Sequence, residues 1–313
     1  MSQLKINLLG KFSVRRGEGA LEGFEGGKVQ ELFGYLLLNR NRSHPREALA
    51  NTLWGGSSTA QSKKYLRQAL WHLQSALDDE SKSDASSFLV VEPNWVKLDS
   101  GVGLWLDVEE FESAFAVVKG RSSQSLDAAQ AEGLRLAVQL YRGDLLEGSY
   151  QDWCLYERER LQNIYLAMLD KLSGYCEASG EYEQGQDYST RILRHDPARE
   201  CTHRRLMRLQ YLAGDRSAAL RQYVRCVTVL EDELGVKPDR QTVALYDEIR
   251  SGSLSAAAAV PRPSAEPEPK DADAVLPDIV ARLKQLHAAL TEIQQQVKKE
   301  IRTVELALGR RQL

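Results

Sequence analysis

Nowhere in the chain do 18 apolar residues follow one another, and the opening Met1-Ser2-Gln3-Leu4-Lys5 lacks the charged start and apolar run of an export signal. No membrane span or leader is expected, and the cytoplasm is the expected compartment. Cysteine is scarce. Cys154, Cys176, Cys201 and Cys226 form no CxxC pair and have no histidine at zinc-ligand spacing, so they read as reduced packing residues and not as a metal centre. The five histidines, His44, His72, His195, His203 and His287, make no HExxH motif, and no nucleophile motif accompanies them. Gly27-Lys28 fails as a phosphate loop, because the first glycine of that motif would stand where Glu22 is and Val29 follows the lysine. No enzyme, metal or cofactor is expected.

Net charge is also small, at -3 over 313 residues. Any nucleic-acid site must then be a local patch on a nearly neutral molecule. With 42% apolar residues, the chain has material for two modest folded cores.

What the sequence does hold falls into four parts. Leu4, Ile6 and Leu8 alternate with Lys5 and Asn7 before Gly10, which predicts a short hairpin between Leu4 and Val14 with one buried face. Val29, Leu32, Phe33, Leu36 and Leu37 then recur at helical spacing, predicting a helix over 28–38. Ser43 ahead of Pro45 and Glu47 reads as a cap for a helix from Pro45 to Trp54. A Gly-Ser loop leads to a third helix over 65–77, and Phe88–Val91 with Trp95–Leu98 read as a hairpin around Pro93-Asn94. This is one unit of about 100 residues.

From Asp107 to Arg250 the pattern is helical. Gly180-Glu181 matches Gly214-Asp215 at the roughly 34-residue period of tetratricopeptide repeats, so stacked helix pairs are expected, with a concave side open to a partner. His195-Asp196-Pro197 reads as a helix stop. Residues 251–274 turn to Ser, Ala, Pro and charge, the composition of a flexible linker. Beyond it Ile279, Leu283, Leu286, Leu290, Ile293, Val297, Ile301, Val304 and Leu308 trace a narrow stripe with one stutter, which predicts a coiled-coil helix over 275–313 and a homo-oligomer.

The third helix carries the most informative face. If its leucines are buried, Gln61, Lys64, Arg67, Gln68, Trp71, His72 and Ser75 lie opposite them, with Lys63 beside them. Such a face suits a major groove: lysine and arginine neutralise phosphates, arginine reads guanine and glutamine reads adenine. It equally describes a solvated amphipathic helix. Arg204, Arg205, Arg208, Arg221 and Arg225 form a second basic concentration, read as a solvated or partner-facing surface. The tyrosines of the repeats read as packing residues.

These residues resemble a known family. Gly27-Lys28-Val29-Gln30-Glu31-Leu32, Arg46-Glu47-Ala48-Leu49 with Leu53-Trp54-Gly55, and Leu66-Arg67-Gln68-Ala69-Leu70-Trp71-His72-Leu73 look like the winged helix of the antibiotic regulatory proteins (SARP). Leu106-Asp107-Val108, Leu140-Tyr141-Arg142-Gly143-Asp144-Leu145-Leu146 and Val229-Leu230-Glu231-Asp232-Glu233-Leu234-Gly235-Val236 with Pro238 resemble that family's bacterial transcriptional activator domain. The resemblance covers about residues 1–250. It implies an OmpR-like α+β winged helix-turn-helix over 1–100 and an all-α tetratricopeptide-like domain over 107–250. It further implies binding to repeats in promoter DNA and recruitment of RNA polymerase. Lys64, Arg67, Gln68 and Trp71 would lie on the recognition helix, Asn94 and Lys97 on the wing, and Gly55, Gly56, Ser57, Ser58 and Thr59 in a loop that faces polymerase. The ATPase module of larger relatives has no counterpart in these residues, so nucleotide-driven switching is not expected. The competing expectation is a helical-repeat adaptor whose winged helix binds protein.

Overall fold

The computed structural model describes residues 4–24, 27–77, 88–98 and 103–254. The chain divides into two compact units, Met1–Ala259 and Val260–Leu313. All described residues lie in the first, so the expected coiled coil and the linker beyond Leu254 fall outside them. The result is a mixed fold, a small sheet region followed by a helical body.

The expected first hairpin is present and larger. Strands β1 (Leu4–Asn7) and β2 (Ser13–Arg16) pair antiparallel, with β3 (Gly19–Ala20) on the outer side of β2. Alternation does what it must: Leu4 and Ile6 are buried and Lys5 is exposed. The sequence reading missed β7 (Leu104–Leu106), which joins β1 in parallel and completes the order β3-β2-β1-β7.

Helices α1 (Gly27–Leu38), α2 (Arg46–Trp54) and α3 (Thr59–Leu77) lie between these strands in sequence, and β5 (Leu89–Val91) and β6 (Trp95–Leu98) make the second hairpin. Ser43 does not cap α2. His44 and Pro45 instead form a short strand, β4, against β6, and the α2 cap position is Pro45 in extended conformation with no side-chain bond. The Arg46 N–H, which a cap would serve, donates to the Asn94 carbonyl at 2.9 Å. Pairing with a strand 50 residues later displaced the local motif.

The helical body runs from α4 (Asp107–Val118) and α5 (Ala128–Leu140) through α6 (Asp152–Ser179), α7 (Tyr182–His195), α8 (Glu200–Leu212) and α9 (Arg216–Leu234) to α10 (Arg240–Ser251). Gly180 and Gly214 both sit at positive φ, 81° and 89°, at the turns that separate α6 from α7 and α8 from α9. The 34-residue match therefore aligns equivalent turns. Helix α7 stops at His195 as expected. Three of the cysteines are buried packing residues, but Cys201 is exposed on α8.

One apolar core extends without interruption from Leu4 to Ile192, and a smaller one gathers Met207, Ala219, Leu245 and Ile249. Three contacts tie the sheet region to the helical body. The buried Asp107 carboxylate, at the start of α4, accepts the Leu8 N–H at 2.8 Å, the Leu9 N–H at 2.9 Å and its neighbour Val108 N–H at 2.8 Å. Burial raises the Asp107 carboxyl above the usual carboxylate range, against the pull of those three amides and of Arg142. The segment after α5 lies along the first hairpin, Gly10 N–H bonding Asp144 O and Leu146 N–H bonding Leu8 O. Leu146 itself has φ 47°, rare for a branched side chain, and its δ-carbon fills the space that a Cβ on Gly34 would need, 2.5 Å away.

Asp107→Asn keeps the shape but offers one acceptor oxygen where two are used. At least one buried amide is then left facing an NH₂ group, which costs roughly 1–3 kcal/mol. Urea unfolding of the full chain should show that loss with the sheet region and α4 melting together.

Candidate nucleic-acid interface

Helix α3 begins six residues before the periodicity announced it. Its first turn holds no large apolar side chain, so the pattern was silent there. What fixes the turn is Ser62, buried, whose hydroxyl donates to the Trp54 carbonyl at 2.9 Å and to the Ser58 carbonyl at 3.1 Å. Thr59, expected in the loop, is accordingly the first helical residue. The loop itself, Gly55 to Ser58, is exposed. Gly55 is obligatory in it, since a Cβ there would lie 2.7 Å from the Asn51 carbonyl oxygen.

From Ser62 onward α3 divides cleanly. Ser62, Leu66, Ala69, Leu70, Leu73 and Leu77 face the core, while Lys63, Lys64, Arg67, Gln68, Trp71, His72 and Ser75 are exposed, as is Gln61. Three strands, in the order β4-β6-β5, stand beside the helix. In β6 strict alternation buries Val96 and Leu98 and exposes Trp95 and Lys97.

A cleft runs between α3, the start of α2 and the β5–β6 turn, lined by Pro45, Arg46, Glu47, Lys63, Leu66, Arg67, Pro93, Asn94 and Trp95. Of the residues singled out from sequence it brings together Lys63, Arg67 and Asn94. Lys64, Gln68, Trp71, His72 and Ser75 extend along α3 outside it, and Lys97 lies further along β6. Arg46 and Trp95 were missed. Trp95 was available to sequence reasoning, because the alternation that exposes Lys97 exposes it too. Arg46 was not, since its place depends on the β4–β6 pairing.

The cations are not equivalent. Lys63 is paired with Glu47, and that contact holds the Glu47 carboxyl below its ordinary range. Arg46 donates to the Glu92 carbonyl at 3.3 Å. Lys64 and Arg67 have no ion-pair partner among the described residues. With Lys97, exposed on β6 and likewise without an ion-pair partner among the described residues, they are charges left for an external anion.

Residues 106–250 match the family model of the bacterial transcriptional activator domain. The chain carries that domain. Its match begins at Leu106, the last residue of β7 and the one before Asp107, so the activator domain includes the carboxylate that grips the first strand. Over 224 residues the chain is 27% identical to the transcriptional regulatory protein MoaR1 of Mycobacterium bovis and of Mycobacterium tuberculosis, with 71% of each chain covered. It is 27% identical over 237 residues to the regulatory protein AfsR of Streptomyces coelicolor, which spans 75% of this chain but only 23% of AfsR. EmbR of Mycobacterium tuberculosis, solved in complex with a low affinity phosphopeptide, shares the fold with a TM-score of 0.61 at 21% identity, over 83% of this chain and 68% of that one. The resemblance to the SARP regulators is thus supported by a matching activator domain and by relatives named as transcriptional regulators. Among the described residues no helix is long and apolar enough to cross a membrane.

One residue before Pro45, which lines the cleft, the chain buries a pH-sensitive group. His44 is buried in β4, its Nε2–H donating to the Asn39 carbonyl at 3.0 Å with Tyr35 edge-on at 5.5 Å. Burial lowers its pKa from 6.5; the Asn39 bond opposes this and Arg42 adds to it. A base whose folded pKa lies below its unfolded value lends stability that is complete above the unfolded value and is lost as pH falls through the folded one. Thermal melts taken downward from pH 7 should therefore lose stability below about 6.5. His44→Gln, which keeps a donor toward Asn39, should flatten part of that decline, and an unchanged pH profile would show that His44 does not contribute.

Proposed function

We propose that this regulator binds promoter DNA in a sequence-specific manner through α3, with the β5–β6 hairpin as a wing on the neighbouring backbone. The observation that carries the reading is the exposed α3 face on which Lys64 and Arg67 keep uncompensated charge next to a cleft bordered by Asn94. Arginine and glutamine one position apart, Arg67 and Gln68, supply the donors that guanine and adenine edges accept in the major groove. Lys64 and Lys97 serve phosphates, Lys63 does so on exchanging Glu47 for a phosphate, and His72 and Ser75 continue the contact face. Promoter repeats would be occupied by two copies of the chain, and the Gly55 to Thr59 loop would face RNA polymerase as transcription is activated. In this division of labour residues 1–100 form the DNA head and 107–250 a docking module without chemistry of its own.

Two substitutions separate base reading from charge. Arg67→Ala should cost roughly 1–3 kcal/mol of discrimination against a wrong base, whereas Lys64→Ala should weaken all sequences evenly and lower the salt slope by about 1. Footprinting and salt titration of the full chain measure both. If neither variant differs from the parent, α3 is not the reading helix. If the parent shows no salt-dependent DNA affinity, the adaptor reading, in which the winged helix binds protein, takes its place.

Oligomerisation belongs to the same proposal. The apolar stripe from Ile279 to Leu308 would pair two chains and raise the local concentration of the second head to about the millimolar range. Light scattering of the full chain should give a dimer mass and a version ending at Gly252 a monomer mass; equal monomeric masses would eliminate pairing through that segment.

A further inference from the structure

Trp71 sits in the middle of the contact face of α3 with 62% of its surface open to water. The fold makes little use of it. Beneath it the core is closed by Leu66, Leu70 and Leu73, each 2% exposed or less, and the one ring beside the indole is that of His72, at 4.9 Å and itself exposed. Among the exposed residues of α3 it is the one large apolar side chain, since the rest of that face is Lys, Arg, Gln, His, Ser and small groups. Leaving an indole in water forgoes the free energy its burial would release, so the sequence carries it there at a disadvantage that a partner would remove.

The chemistry of a major groove limits what that partner is. Base edges there offer hydrogen-bond donors and acceptors at every pair and a single apolar group, the C5 methyl of thymine. Arg67 and Gln68, one turn earlier on the same face, are suited to the polar edges. Trp71 is not, as it brings one N–H and a broad apolar surface. Four residues of helix advance roughly 6 Å, about two base steps, so the groups met by Arg67 and Trp71 belong to neighbouring base pairs. We propose that Trp71 is a specificity-determining residue that covers the methyl group of a thymine within one or two base pairs of the base met by Arg67. This rests on the DNA-binding reading of α3.

Deoxyuridine differs from thymidine by that methyl alone, which makes it the probe. The full chain selects its site from a pool of random-sequence duplexes, and the selected duplex is resynthesised with uracil at each thymine in turn. One position in each half-site should lose affinity about fourfold, the worth of burying one methyl-sized group. In Trp71→Ala the thymine and uracil duplexes should bind alike while the salt slope stays parental, and Trp71→Phe should retain part of the discrimination. Because the indole lies outside the core, both variants should melt like the parent. A parent that binds its site but tolerates uracil everywhere overturns the proposal, as does a Trp71→Ala variant that still discriminates; either result assigns the exposed indole to a protein partner instead. A chain that selects no sequence at all overturns the DNA-binding reading and this proposal with it.

Discussion

Three backbone amides from two distant stretches of chain converge on the Asp107 carboxylate. The geometry answers two needs at once. A helix begins with N–H groups that lack partners, and Asp107 serves the Val108 N–H at the start of α4. A strand that ends beside a helix also leaves amides unpaired, and the same carboxylate serves Leu8 and Leu9 at the end of β1. Parallel pairing of β7 with β1 aims the side chain there, because β7 runs directly into α4. The first strand, the parallel strand and the first helix of the activator domain are thereby set in one position, and the segment around Leu146 can lie over α1 only because that position is kept.

Most of the architecture was legible because apolar residues recurred at the right spacing. Val29, Leu32, Phe33, Leu36 and Leu37 placed α1 to within a residue, and Val96 and Leu98 against Trp95 and Lys97 placed β6 and its faces. The failures share a physical cause, which is that a contact from far along the chain overrode a local preference. Ser43 looked like a cap, yet His44 and Pro45 were claimed by β6. The first turn of α3 had no apolar signal because a buried hydroxyl, that of Ser62, secures it. Strand β7 is three residues long and finds its partner a hundred positions earlier, a pairing that no local pattern encodes. At the candidate site, exposure of the α3 face followed from periodicity alone. The pairing of Lys63 with Glu47 and the place of Arg46 did not, since each depends on how α2 and the hairpin meet α3.

The two basic concentrations of the chain also part company once their partners are known. Arg205 lies 2.6 Å from the Asp170 carboxylate, Arg208 2.7 Å from that of Glu177, and Arg204 3.7 Å from that of Glu200. Arg205 and Arg208 thereby hold α8 against α6, while Arg204 pairs within α8 and donates to the Thr242 hydroxyl of α10 at 3.0 Å; of that concentration Arg221 and Arg225, on α9, have no ion pair among the described residues. On α3, Lys64 and Arg67 have no such carboxylate among the described residues. A chain whose net charge is close to zero can thus still present a cationic strip, because compensation is distributed unevenly along it.

Strand β1 lies between β2 and β7, and this order decides which backbone is left at the margin of the sheet. Without β7 the backbone of β1 would become a free edge, carrying Leu4, Ile6 and Leu8 on one side and two unmatched amides at its end. Such an edge is a template for another copy of itself. The strand that introduces the activator domain takes that place instead, so that the sheet's outer strands are the two short ones, β3 of two residues and β7 of three.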